Sequence, residues 1–148
     1  MAASGGPVIV WAGMDRLQRM LKRLGPTGEL DAAIDIGLFA YGQKVLSLSM
    51  PLVPVDTGVL RGSGKVRHPR AKEVVVGYGG AAAAYGWSVH ENPAAGRTGG
   101  QSPTGQPYDT WATTGQWKYL EQPVKQLLPY MPVHLAHSLD LHIKRAML

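Results

Sequence analysis

Apolar and polar positions follow two different rhythms along this chain. Leu30, Ile34, Leu38, Tyr41, Val45 and Leu48 recur at spacings of 4, 4, 3, 4 and 3, which is the period of one helix face. The spacing predicts a long helix that packs this stripe on a sheet and ends at Pro51 and Pro54. Thr27 stands where a helix cap is expected, with Glu29 and Asp31 in the first turn. Gly37 and Gly42 lower the intrinsic propensity, so tertiary packing has to hold the helix together. Ahead of it, Met14, Leu17, Leu21 and Leu24 share a face opposite Arg16, Arg19, Lys22 and Arg23. That pattern predicts an amphipathic first helix stopped by Gly25-Pro26. Near the other end, Leu135, Leu139, Ile143 and Met147 predict a final helix with Pro132 in its first turn.

Between these helices the rhythm shortens. Val8-Ile9-Val10 reads as an edge strand, residues 59–68 as a polar, basic strand, and residues 73–78, with Val74-Val75-Val76, as a central strand. Residues 85–91 alternate, with Tyr85, Trp87 and Val89 on one side and Gly86, Ser88 and His90 on the other. Three strands at that spacing predict an antiparallel meander, turning at Pro69-Arg70-Ala71 and Gly79-Gly80. Residues 92–116 have no period and are rich in Gly, Pro, Ser and Thr, which predicts a long loop. Structure resumes at Trp117-Lys118-Tyr119-Leu120. The expected fold is one α+β domain over residues 1–148, its N-terminal and C-terminal helices packed on a small antiparallel sheet.

Composition narrows the function classes. The chain has 148 residues and an apolar fraction of 45%, enough for one modest core. It has no cysteine, which removes disulfides, thiolate nucleophiles and Cys-based zinc sites together. No stretch reaches the roughly 18–20 apolar residues of a membrane span, and the N-terminus lacks signal-peptide features. The expected protein is soluble and makes no membrane contact.

The segment at residues 54–63, Pro-Val-Asp-Thr-Gly-Val-Leu-Arg-Gly-Ser, marks the change of rhythm. Pro54 fixes φ, Asp56 and Thr57 can bond nearby backbone, and Gly58 can adopt positive φ. Two further segments follow in order: Tyr85-Gly86-Trp87-Ser88-Val89-His90-Glu91 and Gly115-Gln116-Trp117-Lys118-Tyr119-Leu120-Glu121-Gln122-Pro123. Together the three resemble the motifs of the tail-completion or head–tail joining (neck) proteins of tailed bacteriophages. The resemblance spans most of the chain and departs from the family pattern in its longer 92–116 connection. It implies a structural virion protein that forms a homo-oligomeric ring between the portal–adaptor side of the capsid and the tail. The same likeness extends to tail terminators, which cap the tail tube. It also implies assembly in the host cytoplasm and no cofactor. A small basic nucleic-acid-binding protein is the reading from a different class.

Catalytic patterns fail one by one. Asp56-Thr57-Gly58 matches the aspartic-protease tripeptide, but a second such aspartate and flanking apolar strands are missing. Residues 100–107 have phosphate-loop glycine spacing, with Gln and Pro where Lys and Ser/Thr are required. His90-Glu91 lacks the second histidine of a zincin helix. His134, His137 and Asp140 fall on one helical face, a spacing that is more often a solvated surface than a metal site. No enzyme is expected.

Two surfaces remain. The formal charge is +5, and Arg61, Lys65, Arg67, Arg70 and Lys72 lie in a stretch without an acidic residue. This basic surface is expected to meet DNA phosphates in a channel, without sequence preference, or an acidic partner protein, with a plain solvated face as the alternative. Tyr108 and Trp111 sit in the long loop, away from any local core, and are expected to contact a partner. Trp87 and Tyr119 are expected in the core.

Overall fold

Gly42, which weakens the long helix on its own, is where that helix meets the sheet. A Cβ there would stand 2.7 Å from Val74 Cγ1 and 2.9 Å from Val66 Cγ1, so only glycine permits the approach. Gly37 plays the same part on the adjacent face, where a Cβ would lie 3.0 Å from Leu135 Cδ2. The two residues that cost helix propensity are thus the two contact points that repay it through packing.

The computed structural model describes residues 6, 8–10, 27–95 and 115–146. The expected helix at residues 14–24, Tyr108 and Trp111, the glycine-spaced residues 100–107 and Met147 lie outside the described residues. Within them the long helix α1 runs Thr27–Ser49 and continues as a tight turn, Met50–Leu52, where Pro51 stops it. A single-turn helix α2, Val59–Gly62, leads to strand β2, Lys65–Arg70, and then β3, Glu73–Gly77. Helix α3 covers Ala83–Glu91, α4 Glu121–Leu127 and α5 Met131–Ala146.

Strand β1, Val8–Val10, completes a three-stranded antiparallel sheet in the order β1-β3-β2. The edge position of Val8-Ile9-Val10 and the central position of Val74-Val75-Val76 are as the sequence predicts. In register, Ile9 and Val66 flank Val76, while Lys65 stands opposite Gly77 and Arg67 opposite Val75. Val74 and Val76 are buried and face α1, whereas Val75 is half-buried on the other face. A bulge between Arg67 and Arg70 ends the regular pairing.

Helix α1 is the middle layer, with β3 and β2 on one side and α5 and α4 on the other. Its Ile34, Leu38, Tyr41 and Val45 are buried together with Val53, Val74, Val76, Tyr78, Tyr119, Leu120 and Leu135. Each such aliphatic side chain contributes about 1.5–3 kcal/mol of transfer free energy. The fold is α+β with helices packed on a small antiparallel sheet, as expected.

Several local expectations are corrected. Residues 85–91 form helix α3 rather than a third meander strand, so the third strand of the sheet is β1 instead. Residues 59–62 are helical, and β2 starts only at Lys65. Pro69 and Arg70 belong to β2, and the turn into β3 is at Ala71-Lys72. Trp87 is 58% exposed, because the helical period turns Gly86, Val89 and His90 inward and leaves Trp87 outside. Leu48, at the C-terminal end of the α1 stripe, is likewise exposed. Among the described residues no helix is long and apolar enough to cross a membrane.

Candidate functional site

The segment at residues 54–63 is a turn built on its own backbone. Val53 and Pro54 are buried at the exit of α1. Gly58 takes φ 82°, the left-handed conformation, and its carbonyl accepts the Gly62 N–H at 2.9 Å. Arg61 folds back and donates from Nη2 to the Val53 carbonyl at 2.9 Å. Ser63 Oγ donates to the Leu60 carbonyl at 2.7 Å and accepts the Gly79 N–H at 3.2 Å. One side chain thus ties the exit of α1 to α2, and another ties α2 to the end of the sheet.

The other two motif segments close on this turn. Gln116 N–H donates to the Leu52 carbonyl at 2.8 Å. Gly115, at φ 116°, packs so tightly on Pro54 that a Cβ would lie 2.5 Å from its Cα. Lys118 N–H donates to the His90 carbonyl at 2.8 Å, and Tyr119 OH donates to the Gly86 carbonyl at 2.9 Å. The buried Tyr119 ring meets Tyr78 edge-on at 5.3 Å and His90 at 4.9 Å. Tyr78 OH, in turn, bonds Ser49 Oγ at 2.8 Å at the end of α1. Residues 115–123 thus join the other two segments in one layer, with Gly115 packed on Pro54 and with Lys118 and Tyr119 bonded to helix α3.

The electrostatics of this layer follow from its partners. Glu91 Oε2 lies 2.5 Å from Lys118 Nζ, and Glu91 Oε1 lies 2.7 Å from His90 Nδ1. Lys118, then His90, holds the Glu91 carboxyl below its ordinary value, and Glu91 raises Lys118. Lys125, then Lys118, brings Glu121 down to about 2. Burial raises Tyr119 and lifts Tyr78 to about 12, against the Ser49 hydrogen bond and the Arg61 charge. Burial first, and the Asp56 carboxylate second, raise Tyr85.

Chemically, this arrangement clamps helix α3 to the segment around Lys118. His90 is 5% exposed, and its Nδ1 faces a carboxylate that can only accept when ionised, so that nitrogen carries the proton. Its Nε2 meets no hydrogen-bond partner among the described residues. His134 packs its ring 5.8 Å from Tyr41, and burial, followed by Lys44 and His137, lowers its pKa. Among the described residues no group of three or more His, Cys, Asp or Glu is placed to hold a metal ion.

The five basic residues of the expected surface separate into distinct roles. Arg61 is engaged with Val53 inside the turn. Lys72 stands in the β2–β3 turn at φ 60°, with Nζ 3.0 Å from Asp31 Oδ2 and its N–H donating to Asp35 Oδ1 at 2.5 Å. His68 Nε2 lies 3.2 Å from the same Asp35 oxygen. Arg70 Nε is 3.5 Å from Glu73 Oε2. Lys65 and Arg67 point outward from β2, on the face away from α1, without an ion pair among the described residues. Beside them a shallow groove of about 560 Å³ is lined by Arg67, His68, Pro69, Glu73 and Val75.

Sequence reasoning missed Asp31 and Asp35 as the anchors of the hairpin, and Ser49 as the partner of Tyr78. Their signal was only a polar residue at a half-buried or buried helix position, visible once the packing of α1 is known. The fold and the site together define an α+β protein with a motif-built hydrogen-bonded layer and a basic sheet edge. No family model, curated protein or solved structure matches this chain.

Proposed function

We propose that this chain is a neck protein of a tailed bacteriophage, a head–tail joining component that works as a homo-oligomeric ring. The observation that carries the reading is that residues 115–123 join the other two segments. Of the three that resemble the neck-protein motifs, residues 54–63 meet Gly115 through Pro54, and residues 85–91 are bonded by Lys118 and Tyr119. A ring subunit works through its shape, and a scaffold tied together by these segments suits that role.

Exposed apolar side chains support association. Tyr130 is 65% and Val133 70% exposed at the joint between α4 and α5, with Leu128 beside them. Ile36 and Phe39 are exposed on α1. Patches of this kind mark contact surfaces on proteins that assemble. In a closed ring each weak contact repeats with the symmetry, so modest interfaces add up to a stable assembly. The ring would sit in the virion between the portal–adaptor side and the tail-tube proteins, after assembly in the host cytoplasm. Its role is binding, with no catalysis and no cofactor.

Electron microscopy of the purified chain at rising concentration tests the reading. Closed rings of uniform size are expected. A chain that stays monomeric throughout, and binds duplex DNA tightly as a monomer, would overturn it in favour of a small nucleic-acid-binding protein.

A further inference from the structure

Strand β2 lies at the end of the sheet order β1-β3-β2 and pairs only with β3. Among the described residues no other backbone hydrogen bond reaches residues 65–70. Its second row of N–H and C=O groups is therefore open, the condition under which a further strand can add. We propose that this edge receives an extended acidic segment of a partner protein as a fourth strand.

The edge is fastened to the rest of the fold by contacts within the chain. Val66 is the half-buried residue of β2 and reaches down to α1 at Gly42. The turn beyond it is fastened to α1 through Lys72, Asp31 and Asp35. A preformed edge loses little freedom on binding, which favours short segments.

Charge selects the occupant. Lys65 and Arg67 project on the outer face at alternate positions, and β2 holds no acidic residue. A second copy of β2 would set these cations against their like, which cross-strand pairing penalises. Acidic residues at alternate positions of the incoming strand satisfy both. Past Arg67 the groove over Val75 and Pro69 offers apolar floor for one further side chain. Pro69 has no N–H, and the bulge between Arg67 and Arg70 breaks the register, so the added strand ends there. The expected ligand is a short stretch of the form acidic–x–acidic–x–apolar.

DNA phosphates fit the same surface less well. Arg61 and Lys72 are engaged inside the chain and the exposed Arg70 is paired with Glu73, so Lys65 and Arg67 are the two cations of this stretch without an ion pair among the described residues. Two phosphate contacts give a salt slope of only about −2 per subunit, and DNA makes no use of an open strand edge. The inference concerns the β2 edge itself and does not rest on the neck reading.

The full chain is titrated with a synthetic peptide of the sequence type Glu-x-Glu-x-Leu, its Lys-x-Lys-x-Leu counterpart, and a short duplex DNA, with amide hydrogen exchange read over residues 65–68. The proposal expects saturable binding of the acidic peptide alone, with slowed exchange at those amides. Lys65→Glu with Arg67→Glu should weaken it by about tenfold or more. An acidic peptide N-methylated at alternate amides should lose binding to the unaltered chain, which tests strand addition without any variant. Equal binding of the two unmodified peptides, no binding, undiminished binding of the N-methylated peptide, or preference for the duplex would each overturn it.

Discussion

Lys118 joins helix α3 twice: its N–H donates to the His90 carbonyl at 2.8 Å, and its ammonium stands 2.5 Å from the Glu91 carboxylate. It does so at φ 54°, in the left-handed region that side chains other than glycine rarely adopt. The backbone bond is made in that conformation, and the ion pairs with Glu91 and Glu121 help to hold it.

Lys118→Ala removes the ion pairs and keeps the strain, whereas Lys118→Gly removes both. The glycine variant should therefore be the more stable of the two, by about 0.5–1 kcal/mol, despite its more flexible unfolded chain. Urea denaturation of both variants reads the difference. A more stable alanine variant would show that the backbone there is unstrained.

Acid should loosen the same layer. Lys118 and His90 depress Glu91, and Lys125 and Lys118 hold Glu121 at about 2 against an ordinary 4.5. A depressed carboxylate stabilises the fold fully above its unfolded pKa, and that stabilisation is lost as pH falls through the folded one. The loss for Glu121 is expected between pH 4.5 and about 2. Lys118→Met moves both carboxylates back toward 4.5 and should flatten this part of the stability–pH curve. Denaturation across the acid range gives the slope, and an unchanged slope in the variant would count against the network.

Glycine contacts give the sharpest stability test. Gly42→Ala drives a Cβ toward Val74 and Val66 and should cost about 1–3 kcal/mol by pushing α1 off the sheet. Gly115→Ala meets the Pro54 backbone and also sits at φ 116°, so it should cost more than Gly42→Ala. Thermal unfolding ranks them. A tolerated Gly115→Ala would mean that the Pro54 and Gly115 segments do not meet.

Much of this architecture is legible in the chain because α1 shows its period over six apolar positions and Val74-Val75-Val76 is a β-branched run that ends at Gly77. Residues 85–91 are not legible, because seven residues fit a period of two as well as 3.6. The deciding signal was the run Ala81-Ala82-Ala83-Ala84 just ahead of them, which favours a helix. Packing decides the rest, since Gly86 lies under the Tyr119 hydroxyl. The basic stretch looked uniform in sequence because its acidic partners, Asp31 and Asp35, stand on α1, far upstream. Positive φ at Lys72 and Lys118 leaves no mark in side-chain chemistry.

Asp35 anchors the hairpin that presents the basic edge. Asp35→Ala leaves the Lys72 N–H without its acceptor and should cost about 1–2 kcal/mol, with faster hydrogen exchange at the β2–β3 turn. Asp35→Asn keeps an acceptor and should lose less. Equal exchange in all three proteins would place the anchor elsewhere.

Assembly is the central claim, and the exposed joint at Tyr130 and Val133 gives a way to address it apart from folding. The most direct measurement is native mass spectrometry of the chain beside Tyr130→Ser/Val133→Ser. Both positions are exposed, so the variant should fold with stability within about 0.5 kcal/mol of the parent. The account predicts one closed oligomer for the parent and a shift to smaller species for the variant. A parent that is monomeric at every concentration would contradict it.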